Sequence, residues 1–86
     1  MELSLEEKIR NLFLSEDPIG IYFPEDHNED EYDLEINVIL PRLSECKTVV
    51  EIQEVLWEVF VKFFGEDVAG SKERYARLAE KINAFR

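Results

Sequence analysis

Residues 48–65 read TVVEIQEVLWEVFVKFFG. Thr48 and Glu51 have the spacing of a capping box, in which the hydroxyl accepts a backbone N–H three residues on and the carboxylate reaches back. Val49, Ile52, Val55, Leu56, Val59, Phe60 and Phe63 then recur on one side of a helix. Val50, Trp57, Val61 and Phe64 widen that apolar face, and only Glu54, Glu58 and Lys62, four apart, form a polar stripe. A helix apolar over most of its circumference must sit at the centre of its domain. Gly65 is placed to end it in the left-handed conformation.

Outward from this helix, Ser71 is positioned to cap a last one. Its inner stripe is Tyr75, Leu78, Ala79, Ile82 and Phe85, and its outer side is basic, with Lys72, Arg74, Arg77, Lys81 and Arg86. Upstream, Asp30 is placed to cap a second helix whose inner face is Tyr32, Ile36, Ile39, Leu40 and Leu43. Pro41 lies inside that run and predicts a kink or break, because it removes the bond its N–H would have made to Asn37. A second capping box, Ser4-Leu5-Glu6-Glu7, opens a first helix over about residues 4 to 14, which stops before Asp17-Pro18. No strand pattern is longer than residues 19 to 23. The expected fold is all-α, a single-domain four-helix bundle over residues 1–86, with a long loop (residues 15–29) between helices 1 and 2.

A chain of 86 residues buries roughly 60–65% of its unfolded surface, enough for one core but not for a deep catalytic cavity. The net charge of −10 argues against nucleic acid and against anionic membrane surfaces, both of which need cations on the protein. It favours steering of a basic partner. Cys46 is the only cysteine, so no intrachain disulfide can form. With no basic-then-apolar leader, and no apolar run near the ~20 residues that span a bilayer, a cytoplasmic protein is expected.

The acid is uneven. Residues 1–47 hold thirteen acids against four bases, and residues 48–86 seven against six. Within the first half, Ile21-Tyr22-Phe23-Pro24 runs into a stretch, residues 25–35, in which seven of eleven side chains are carboxylates. Asp26, Asn28 and Asp30 fall at the first, third and fifth positions of a calcium loop, but Glu31 occupies the turn position that wants glycine and Asn37 the position of the bidentate glutamate. His27 is the lone histidine and makes no closed transition-metal site with flexible carboxylates. It also lacks a visible nucleophile or orienting partner. Cys46 lies at a helix C-terminus, which opposes a thiolate, and reads as structural. No glycine-rich phosphate loop is present. The sequence therefore predicts no enzyme, no metal and no cofactor.

What remains is recognition. Tyr22 and Phe23 followed by acids have the make-up of an interface, with aromatic anchors inside a charged rim. The bland alternative is that the aromatics close one end of the bundle while the acids solvate a turn.

Two resemblances reach the same stretch. Asp17-Pro18-Ile19-Gly20 followed by Asp30-Glu31-Tyr32-Asp33 resembles an uncharacterised family of small acidic bacterial helical proteins, which implies an all-helical fold and no established activity. Ile21-Tyr22-Phe23-Pro24 with its acids resembles the Tyr-Tyr-Pro segment of the immunity proteins that inhibit nuclease bacteriocins. Here Phe23 stands in place of a tyrosine, and the segment follows the first helix rather than forming a short third one. That likeness, one of surface chemistry rather than kinship, implies Tyr22 and Phe23 as anchors and Asp26, Glu29 and Asp30 as rim. Asp33 completes the expected partner-binding set. The expected function is an acidic interaction module, of immunity or antitoxin type, that occludes a basic protein. The alternative is a structural or homodimeric helical protein whose self-interface is seeded by Trp57, Val61 and Phe64.

Overall fold

The computed structural model describes residues 3–20 and 31–86, and no strand occurs among them. Helix α1, Leu5–Glu16, opens on the expected capping box: the Glu7 N–H donates to Ser4 Oγ at 3.2 Å, and the Ser4 N–H donates to Glu7 Oε1 at 3.4 Å. It closes two residues later than its apolar pattern suggests, on Asp17. That residue is left-handed (φ 44°, ψ 61°), and its N–H reaches the Phe13 carbonyl at 2.7 Å. A short polar side chain makes this conformation accessible to aspartate.

Helix α2, Asp33–Leu43, follows Tyr32, which lends no side-chain cap. The cap expected from Asp30 lies outside the described residues. The break expected at Pro41 does not occur, since α2 continues through Pro41 to Leu43. The carbonyls near its end find side-chain donors instead. Ser44 Oγ donates to Pro41 O (3.0 Å), Cys46 Sγ to Arg42 O (3.4 Å) and Arg86 Nη1 to Leu43 O (2.6 Å).

Helix α3, Val49–Ala69, is capped by Thr48 and Glu51 as expected. Its regular course breaks at Gly65. The stop was expected there, but in the left-handed helical region; Gly65 instead has φ 83° and ψ 161°, a region open essentially to glycine alone. A short turn leads on to Gly70. Side chains satisfy the carbonyls of this irregular stretch. Trp57 Nε1 donates to Gly70 O (3.0 Å), Tyr75 Oη to Ala69 O (2.6 Å), Arg74 Nη1 to Val68 O (2.9 Å) and Gln53 Nε2 to Lys72 O (2.7 Å). Ser71 precedes a 3-10 turn, Lys72–Tyr75, rather than capping a helix with its side chain, and α4 runs over Ala76–Phe85.

α1 lies beside α2 and α4, and so does α3, so α1 and α3 stand on a diagonal. They meet through an aromatic cluster in which Phe60 is the hub. Its ring lies 5.6 Å from Phe13, 6.0 Å from Tyr32 and 5.1 Å from Tyr75, and Phe13 and Tyr32 meet edge to face at 5.6 Å. All four rings are fully buried, amid Ile9, Ile36, Ile39, Ile52, Leu56 and Ile82. Phe63, expected on the inner face of α3, is instead 39% exposed.

Candidate interaction surface

The two ends of the connection between α1 and α2 meet at this aromatic core. Tyr32, whose ring stacks on Phe60, points its phenol at Asp17, and Tyr32 Oη donates to Asp17 Oδ1 at 2.7 Å. Asp17 ends α1 and Tyr32 leads into α2, so one hydrogen bond closes the base of the connection between the helices. The Gly20 N–H folds back to the Asp17 carbonyl at 3.0 Å, and the Ile36 N–H takes the Tyr32 carbonyl at 3.0 Å. Ile19 packs against the core.

The described acids of the stretch have different fates. Asp33 accepts from Arg10 Nε at 2.7 Å, and the same guanidinium reaches Glu6 at 3.3 Å. The bond to Asp33 raises the Arg10 pKa above its ordinary value, so Arg10 stays charged. Glu35 is only 3% exposed and its Oε2 has no hydrogen-bond partner. Burial pushes its carboxyl above its ordinary value; the charges of Glu31 and Asp33 add to the rise, and its own backbone N–H opposes it. Glu35 is thus part of the interior and not of a charged rim. Tyr22, Phe23, Asp26, Glu29 and Asp30, the other partner-binding candidates, and His27 lie outside the described residues. Among the described residues no three His, Cys, Asp or Glu side chains gather where they could hold a metal ion.

One residue absent from the expected set stands out. Leu34, between Asp33 and Glu35, is 68% exposed, the most exposed large apolar side chain among the described residues. A helical wheel could have located it, because Tyr32, Ile36 and Ile39 define an inner face from which Leu34 departs.

Elsewhere the basic side chains of the 3-10 turn and α4 are spent on internal partners. Lys72 pairs with Glu54 at 2.7 Å and sits 5.0 Å from the Trp57 ring centre, while Arg77 and Lys81 share Glu16 at 3.4 and 3.5 Å. Trp57, named as a seed for self-association, is half-buried and held by these contacts. Cys46 is buried, and burial pushes its thiol up, as suits a structural role.

Grooves on the described surface include one beside α2 and one beside α4. One, of about 250 Å³, lies between the end of α2 and α3 and is lined by Glu45, Glu51, Glu54 and Glu58 with Arg42. The other, of about 420 Å³, lies between α1 and α4. No helix among the described residues is long and apolar enough to cross a membrane.

Comparison of the chain with protein-family models, with curated proteins and with solved structures finds no match.

Proposed function

We propose that this chain is an acidic four-helix interaction module that occludes a basic protein, in the manner of an immunity or antitoxin-type inhibitor. The docking face is the pole between α1 and α2. Tyr22 and Phe23 act there as aromatic anchors, with Asp26, Glu29 and Asp30 as the rim. The observation that carries the reading is Leu34, a leucine turned to water at the start of α2 and directly beside Asp33. An aliphatic side chain set among carboxylates supplies apolar burial where charge supplies steering. The Tyr32–Asp17 bond supports it by fixing both ends of the segment before a partner arrives, which lowers the entropy lost on binding. Asp33 joins the rim by exchanging Arg10 for a cation of the partner.

The test is affinity capture with the whole chain as bait, beside two variants. One carries Asp26→Asn, Glu29→Gln and Asp30→Asn; the other carries Leu34→Ser. The wild type should retain a basic protein that elutes as salt rises, and both variants should lose it while keeping their thermal midpoint. Capture indifferent to salt and to neutralisation of the acids would overturn the proposal.

A second reading, a homodimer, is favoured by Phe63 and Val68, exposed on either side of Gly65. Sedimentation at several concentrations separates the two, since a concentration-dependent dimer abolished by Phe63→Ser belongs to this reading alone.

A further inference from the structure

The groove between α1 and α4 has a composition unlike the rest of the chain. Its floor is apolar, built from Leu3, Leu12 and Phe85, and its charged lining is Lys8 and Lys81. The rest of its lining is a neutral amide and a hydroxyl. In a chain with twenty acids and ten bases, no carboxylate lines it among the described residues. The companion groove beside α2 is lined by four.

The charge balance around the groove is also positive. Lys8 is half-buried on α1 and makes no ion pair with a described residue. Lys81 has only a share of Glu16, which Arg77 also claims. The groove's two lysines thus have between them only a shared claim on one carboxylate among the described residues. A half-buried lysine with no ion-pair partner among the described residues can lay its methylene stem on apolar surface and keep its ammonium in water, where it can meet an anion. The volume of about 420 Å³ falls within the range of small-molecule sites, which are mostly apolar with a few placed polar groups and occur between the helices of bundles.

We infer that this groove binds a free alkyl carboxylate of medium chain length, the chain lying along Leu3, Leu12 and Phe85 and the carboxylate meeting Lys8 and Lys81. The occupant is set by charge complementarity: a cationic amphiphile would be repelled by the two ammonium groups, and an uncharged alcohol would give neither lysine a counter-charge beyond the Glu16 that Lys81 shares. The groove-lining residues of α1 run from Lys8 to Ser15, roughly 10 Å of helix at 1.5 Å per residue, a length that suits a chain of medium size. The site is independent of the acidic pole, and its failure would leave the proposed function untouched.

The test is a two-dimensional NMR titration of the whole chain with sodium decanoate, beside decyltrimethylammonium and decanol. Decanoate should bind saturably at one site, shifting amides of residues 3–15 and 81–86. Lys8→Glu should weaken it at least about fivefold, the factor that loss of one exposed ion pair and its reversal would produce, and Lys8→Gln should weaken it less. Lys62→Glu, on α3, should leave it unchanged. Since Lys8 has no ion-pair partner among the described residues, Lys8→Glu should keep the wild-type thermal midpoint. Three results would each overturn the inference: decanoate binding that does not saturate, equal binding of the cationic amphiphile, or shifts centred on Phe63, Phe64 and Val68.

Discussion

The phenol of Tyr32 is bonded to the carboxylate of Asp17 across fifteen positions of sequence, at 2.7 Å. The ring that carries it is buried between Phe13 and Phe60. Tyr32→Phe keeps the ring and removes the donor. A hydrogen bond to a charged group contributes about 1.5–3 kcal/mol, and Asp17 is not fully buried, so a loss near the lower end is expected in urea unfolding. Asp17→Asn retains an acceptor and tolerates the left-handed backbone, and it should lose less. A double-mutant cycle should return most of the loss as coupling; additive losses would show that the bond contributes nothing.

Gly65 offers a second test, of the backbone alone. Nothing lies within 4 Å of a Cβ built there, but φ is +83° and ψ 161°. Gly65→Ala therefore meets strain without collision, and should cost about 1–3 kcal/mol, read from the denaturation midpoint at unchanged slope. A neutral outcome would mean that the segment after Phe64 re-forms as continuous helix.

Glu35 makes stability depend on pH in an uncommon direction. Its folded-state pKa lies above its unfolded value, chiefly through burial. Between the two values the folded chain holds a proton that the unfolded chain has released. Stability thus falls as pH rises through that window, and the penalty is fully present above it. Glu35→Gln should raise the thermal midpoint at pH 7, and the advantage should shrink as the medium is acidified below the usual carboxylate range. An advantage that does not change with pH would remove burial of charge as the cause.

The hub ring is the most sensitive position. Phe60→Ala opens a void touching Phe13, Tyr32, Phe64 and Tyr75. Such truncations cost about 3–5 kcal/mol, a large part of the 5–15 kcal/mol typical of a domain. Near-ultraviolet circular dichroism should flatten together with a drop in the denaturation midpoint. Retention of the wild-type midpoint would show that the cluster is not the centre of the core.

Much of this architecture is legible in the sequence because it rests on local rules. The capping boxes at Ser4 and Thr48 and the apolar run from Val49 to Phe60 are decided within one turn or one helix, and both caps formed as read. No break falls at Pro41 because one lost bond is weighed against donors from Ser44, Cys46 and the distant Arg86, and the last of these no local rule supplies. Phe63 misleads because it sits at the edge of the stripe, in the last turn before Gly65. At the candidate site, the aspartate and glutamate of Asp33-Leu34-Glu35 look alike in sequence. Only packing separates a carboxylate paired with Arg10 from one enclosed with an oxygen left unpartnered.

The diagonal placement of α1 and α3 also sets an order of assembly. The union of α3 with the 3-10 turn and α4 spans few residues of chain, as Phe60 and Tyr75 show, whereas Phe13 must find Phe60 from forty-seven positions away. Closing that wider loop carries the larger entropic toll and comes late. Truncations at Phe13 should therefore accelerate unfolding and leave the refolding rate nearly untouched, while those at Tyr75 should slow refolding. The Asp17–Tyr32 bond closes only fifteen positions, as many as separate Phe60 from Tyr75, so α1 and α2 can pair early and dock as a unit on the other half of the bundle.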